Sequence, residues 1–161
     1  MSNPLEKGHK APAFSLAAAG TSDGSEIVTL DQFKGRKLVI FFYPKDNTPG
    51  CTKEAIAFSD LQQDFLAADT DIIGVSADSI KKHENFIAKH NLNMPLGSDS
   101  ELETLNAFGV WAEKSMYGRK YMGIVRSTFL IDRDSKIAEI WSKVKVKDHA
   151  EAVLKACQTL E

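Results

Sequence analysis

Cys51 is the residue in this chain whose setting most clearly points to chemistry. It closes the run YPKDNTPGC, residues 43 to 51, directly after Thr48, Pro49 and Gly50. Thr48-Pro49 reads as a helix opening, with a hydroxyl at the N-cap and proline at the first helical position. On that register Cys51 falls in the first turn, where free amides and the positive end of the helix dipole meet its sulfur. Such a setting favours the thiolate, which is the nucleophilic form. A guanidinium close by would add to this, and the best candidate is Arg126, at the start of STFLID. Each residue also has a plainer reading. Isolated cysteines are mostly small buried hydrophobes, Thr48 could be only a cap, and Arg126 could pair with Asp132 or Asp134 at the surface.

Other elements must bring these residues together. KLVIFFY, residues 37 to 43, is rich in β-branched and aromatic residues and predicts a buried central strand. Pro44 stops it, having no amide hydrogen to donate. Cys51 therefore lies past the C-terminal end of a strand, where open α/β sheets place their sites. Beyond it Ala55, Phe58, Leu61, Phe65 and Leu66 recur at helical spacing over about four turns. DIIGVSA, residues 71 to 77, predicts a second buried strand. SIKKHENFIAKHN follows as a helix with Ile80, Phe86 and Ile87 among its apolar positions, and residues 100 to 108 form a short helix.

STFLID and KIAEIWS read as a hairpin turning at Arg133-Asp134-Ser135. A last helix carries Ala150, Val153, Leu154, Cys157 and Leu160. At the N-terminal end, AFSL and EIVTL are short strands joined by the turn-rich GTSDGS. Right-handed crossovers make the two long strands parallel, with helices on both faces, and the hairpin makes the sheet mixed. The fold class is α/β: a thioredoxin-like central mixed sheet flanked by helices on both faces, with an N-terminal strand pair.

The bulk properties narrow the function. With 161 residues and no repeat or linker, the chain is expected to be one domain over residues 1–161. A net charge of −2 offers no basic face for nucleic acid or anionic lipid. The longest apolar run, LVIFFY, is far too short to span a bilayer, and MSNPLEKGHKAPAF contains nothing like a signal peptide. Two cysteines make no disulfide framework, so a cytoplasmic protein with reduced thiols is expected. His9, His83, His90 and His149 have no cysteine or carboxylate partners at ligand spacing, which argues against a metal. GxGxxG and P-loop patterns are absent, which leaves no signal for a nucleotide cofactor.

Pro44, Thr48 and Cys51, spaced by four and then three residues, match the peroxidatic motif of peroxiredoxins. FFYPKDNTPGCTKEA and YGRKYMGIVRSTFLID resemble the subfamily called bacterioferritin comigratory protein, or peroxiredoxin Q. The resemblance runs from KAPAFSL to the last helix. It implies a thiol peroxidase that reduces hydrogen peroxide and small organic hydroperoxides without metal or organic cofactor. Cys51 would attack the terminal peroxide oxygen and become a sulfenic acid. Thr48 would hold the peroxide, Arg126 would stabilise thiolate and developing oxygen charge, Pro44 would shield the sulfur, and Glu54 would orient the arginine. Glu54 could equally be an acid in the first helical turn, where the dipole favours it. Trp111, Tyr117 and Tyr121 either roof the site or simply pack.

The resemblance also fails in one place. Many members carry a resolving cysteine five residues after the first, where this chain has Ile56; others place it in the next helix, near Phe86 or Ile87. Both positions are apolar here. Cys157 sits on the apolar stripe of the last helix and reads as a packed core residue; to act as a resolving thiol it would need local unfolding of both helices, or a partner subunit. A one-cysteine mechanism is therefore expected, with the sulfenate reduced by an external thiol such as glutathione, a glutaredoxin or thioredoxin. Members of the subfamily are often monomers, and some related proteins pair through the edge near the active site. A peroxide sensor whose Cys51 oxidation alters partner binding is the rival of a different class. A thiol–disulfide oxidoreductase is disfavoured, because Glu54 stands where a CxxC motif needs its second cysteine.

Overall fold

The computed structural model describes residues 5–21 and 26–161. Its centre is β3 (Lys37–Phe42), in which every residue is buried. Leu38, Ile40 and Phe42 enter one apolar cluster, while Val39, Phe41 and the following Tyr43 enter another. A strand covered on both faces needs no polar side, so its sequence reads as a continuous apolar run. β4 (Thr70–Ser76) lies parallel beside it, with Phe42 opposite Val75. β8 (Ser127–Ile131) flanks it on the other side, antiparallel, with Phe42 opposite Ser127. Adding β1 (Ser15–Ala19), β2 (Ile27–Thr29), β5 (Leu96–Ser98) and β9 (Ile137–Ser142) completes a seven-stranded sheet in the order β2-β1-β5-β4-β3-β8-β9.

Helices α1 (Pro49–Asp60), α2 (Gln62–Ala67), α3 (Ile80–His90) and α5 (His149–Thr159) cover one face through Phe58, Phe65, Phe86 and Val153. The short α4 (Glu103–Ala107) covers the other through Leu105. The expected thioredoxin-like arrangement is thus present, with most of its helical mass on one side. The cause is topological: β3 to β4 and β4 to β5 step the same way along the sheet, so right-handed crossovers put α1, α2 and α3 together.

Some local features differ from expectation. The four-turn helix is broken at Leu61, whose backbone (φ −97, ψ 5) separates α1 from α2 and leaves Leu66 exposed. The second N-terminal strand is cut short because Leu30 opens a 3-10 turn ending at Phe33. Residues 22–25 of the expected GTSDGS turn lie outside the described residues. A separate hairpin of β6 (Trp111–Met116) and β7 (Arg119–Ile124) turns at Tyr117 and Gly118, both at positive φ. Tyr117 at its tip is 99% exposed and roofs nothing. Trp111 at its base packs, partly buried, against the cluster that holds Leu105.

Candidate active site

The strand β3 delivers the chain to the site. Its pairing continues one residue further, the Tyr43 amide donating to the Val75 carbonyl at 3.1 Å, and Pro44 then ends it. The loop turns through Asn47, at φ 63, and reaches Thr48 in extended conformation (φ −92, ψ 153). Pro49 takes the first position of α1, where a missing amide hydrogen costs nothing. The Thr48 carbonyl accepts from the Thr52 amide at 2.8 Å. Its hydroxyl does not cap the helix but donates to the Lys45 carbonyl at 2.8 Å. Cys51 is the third helical residue, in the first turn, and only 1% exposed; it shares an apolar cluster with Val39 and Phe41. Its sulfur is buried, as for an ordinary core cysteine, yet it has a charged partner.

That partner comes from β8. Because Ser127 lies opposite Phe42, Arg126 falls at the end of β3 where Pro44 and Cys51 emerge. Its carbonyl is held by the Val144 amide at 3.0 Å. The guanidinium Nη2 donates to Cys51 Sγ at 3.3 Å, and Nη1 donates to Glu54 Oε1 at 2.7 Å. One planar fork thus spans both groups, which a point-charge ammonium could not do. Asp132 is not its partner: Asp132 Oδ1 accepts from the amides of Asp134 and Lys136 inside the hairpin turn.

Glu54 lies in the second turn of α1, beyond the reach of the simple dipole reading, and is 1% exposed. Burial pushes its carboxyl up to about 7, against the pull of Arg126. Among the described residues its Oε2 is buried without a hydrogen-bond partner, which adds to that cost. Burial also works against the Arg126 charge, but Glu54 and Cys51 outweigh it and raise the guanidinium pKa.

Two neighbours of the site escape sequence reading. A Cβ at Gly50 would stand 3.2 Å from Arg126 Nη2, so glycine leaves room for the fork. This is visible only once the arginine is in place, although a glycine immediately before the cysteine is the available signal. His149, at the start of α5, is held by Thr128 Oγ1 at 2.8 Å and sits edge-on to Phe58 and Trp141. Burial, with the Arg126 charge, lowers its pKa to about 4, so the imidazole is neutral at physiological pH. No local spacing marks it.

Cys157 lies elsewhere. It is fully buried on α5, and burial pushes its thiol up to about 11. The ammonium of Lys37 donates to the Cys157 and Leu160 carbonyls at 2.6 and 2.7 Å, tying this end of α5 to the start of β3. Cys51 sits beyond the other end of that strand, whose six extended residues span about 16 Å. A disulfide needs the two Cα atoms within about 7 Å. Among the described residues, no group of three or more His, Cys, Asp or Glu is placed to hold a metal ion, and no helix is long and apolar enough to cross a membrane.

This arrangement has close counterparts in known proteins. A model of the AhpC/TSA family matches residues 7–140. Peroxiredoxin Bcp of Bacillus subtilis is 48% identical over 157 residues, spanning 98% of this chain and 96% of its own. A bacterioferritin comigratory protein of Xanthomonas campestris, solved in trapped intermediate and ligand complexes to explain its alkyl peroxide reduction activity, is 44% identical with a TM-score of 0.83 over 90% of each chain. PrxQ of Xylella fastidiosa, in a cysteine-to-serine form, superposes with a TM-score of 0.88 at 38% identity over 96% of each chain. With a family model covering most of its length and relatives this similar from end to end, the chain belongs to the AhpC/TSA family and is a peroxiredoxin of the Bcp, or peroxiredoxin Q, group.

Proposed function

We propose that this peroxiredoxin works by a one-cysteine mechanism, as a single-domain, monomeric cytoplasmic enzyme acting on hydrogen peroxide and small organic hydroperoxides. The Cys51 thiolate attacks the terminal peroxide oxygen; the S–O bond forms as the O–O bond breaks. The departing oxygen leaves as hydroxide or alkoxide and takes up a proton, giving water or alcohol and a Cys51 sulfenic acid. A first external thiol displaces water from that sulfenic acid and forms a mixed disulfide. A second thiol then releases Cys51 and leaves as the oxidised disulfide.

Arg126 is the group that favours the forward step. Negative charge moves from sulfur to the leaving oxygen, and a guanidinium fixed beside the sulfur stabilises that shift without reorganising. Glu54 holds the fork in place, Thr48 offers its hydroxyl oxygen to the peroxide, and Pro44 keeps water from the sulfur. The observation that carries this reading is the double engagement of Arg126, 3.3 Å from Cys51 Sγ and 2.7 Å from Glu54 Oε1.

The absence of an intramolecular resolving step is supported by three side chains and one distance. Ile56, Phe86 and Ile87 occupy the places where the family resemblance would put a second thiol, and Cys157 is at the far end of β3. Alkyl peroxide reduction by the Xanthomonas campestris relative supports the substrate class. Peroxide-dependent oxidation of an external thiol is the test, with glutathione–glutaredoxin and thioredoxin assayed side by side. Turnover is expected to vanish in Cys51→Ser and persist in Cys157→Ser. Loss of turnover in folded Cys157→Ser would overturn the one-cysteine mechanism.

A further inference from the structure

A second buried polar cluster lies beneath the loop that carries Pro44 and Thr48. Asp46, in the middle of that loop, has its side chain turned inward and is only 6% exposed. Its Oδ1 accepts from the Tyr43 hydroxyl at 2.6 Å, and its Oδ2 is 2.7 Å from His83 Nδ1. Its amide donates to Asp78 Oδ2 at 2.8 Å, an oxygen that also accepts from the Ser76 hydroxyl. His83, fully buried on α3, is fixed from its other side: Nε2 is 2.9 Å from the Gly97 carbonyl of β5. A carbonyl oxygen carries no hydrogen, so Nε2 must supply the one in that bond. Nδ1 then meets the Asp46 carboxyl in a second hydrogen bond. Two elements outside the loop, α3 and β5, are thereby bonded to its central residue through one imidazole.

Cys51 needs this loop in two opposing ways. Attack on peroxide requires Pro44 and Thr48 closed over the sulfur. Reduction by an external thiol requires the reverse, because a sulfur on a residue 1% exposed admits no protein thiol. We propose that His83 is a positioning residue that latches the loop closed through Asp46 and so sets the balance between the oxidation and reduction half-reactions. The proposal rests on the reading of Cys51 as the nucleophile re-reduced from outside. Without the imidazole, Asp46 Oδ2 stays buried and unpaired while the loop is closed and regains water when it opens, which shifts the loop towards opening.

The test measures the two half-reactions separately in the full chain by stopped flow. The first is Cys51 oxidation by hydrogen peroxide, and the second is reduction of the preformed sulfenic acid by dithiothreitol. His83→Leu is expected to slow oxidation about tenfold and to speed reduction several-fold, the scale of one buried partner left unpaired. His83→Asn, whose amide can still donate to Asp46, is expected to return both rates towards wild type. Tyr43→Phe keeps the ring, removes the 2.6 Å bond to Asp46 together with the 3.4 Å contact to His83 Nδ1, and moves both rates in the directions expected for His83→Leu, by less. It also decides the matter should His83→Leu not fold. Rates that stay unchanged, or that fall together, would overturn the latch, since general damage to the fold cannot speed one half-reaction. If wild-type protein yields no sulfenic acid, it is the underlying reading of Cys51 that fails, and this is seen before any variant is made.

Discussion

Replacing Arg126 by lysine retains the charge and removes the fork. The guanidinium places one nitrogen 3.3 Å from Cys51 Sγ and another 2.7 Å from Glu54 Oε1. A single ammonium cannot sit at both points, and the buried carboxylate, with one oxygen already unpaired, is the stronger competitor for it. Cys51 then loses a charge-assisted hydrogen bond of about 1.5–3 kcal/mol. Only the part that grows as charge passes to the leaving oxygen affects the rate. At 1.36 kcal/mol per decade the whole bond corresponds to about tenfold to 150-fold, so the second-order rate constant for hydrogen peroxide is expected to fall several-fold at least and about 150-fold at most. Arg126→Met, which removes the cation altogether, should fall further. Stopped-flow oxidation in a Cys157→Ser background isolates Cys51, with circular dichroism as the control for folding. A rate constant for Arg126→Lys within about twofold of its parent would refute the role given to the fork.

Three further outcomes follow from the same geometry. Gly50→Ala puts a methyl 3.2 Å from Arg126 Nη2, and a displacement of the guanidinium by a few tenths of an ångström should slow peroxide oxidation several-fold with little loss of thermal stability; an unchanged rate would show that the fork tolerates displacement. Glu54 takes up its proton more readily folded than unfolded, so stability falls as pH rises from 4.5 to about 7, whereas His149 does the opposite and stability falls as pH drops from 6.5 to about 4. The slopes oppose each other between pH 4.5 and 6.5, so Glu54→Gln should expose a loss of about 1.4 kcal/mol per pH unit on acidification and His149→Gln a similar loss towards neutrality, read from urea midpoints. Cys157, its thiol pushed up to about 11 and fully buried, should resist iodoacetamide at neutral pH in the native protein and react only in denaturant.

Much of the fold was legible because the signals were local. The six-residue apolar run LVIFFY, rich in β-branched and aromatic residues, reads as a strand covered on both faces, and Thr48-Pro49 marks the helix that follows it. The hairpin of β8 and β9 is equally plain from its turn. β5 has only Leu96, Gly97 and Ser98, with no alternation of its own, and exists because β1 and β4 offer it partners on both sides. The break at Leu61 carries no glycine or proline to announce it. At the site, Cys51, Thr48 and Pro44 lie within eight residues and read directly from the chain. Arg126 could be named as a candidate, but its contact with Cys51 follows from the β3–β8 register. The pairs Asp46–His83 and Thr128–His149 were invisible for the same reason: each joins two different elements, and spacing along the chain carries no trace of it.

The most direct measurement is the identity of the first oxidation product. Protein treated with one equivalent of hydrogen peroxide in the presence of dimedone, digested and analysed by mass spectrometry, should carry the adduct on Cys51 with Cys157 still a free thiol. A Cys51–Cys157 disulfide as the main product, or oxidation beginning at Cys157, would contradict the account at its centre.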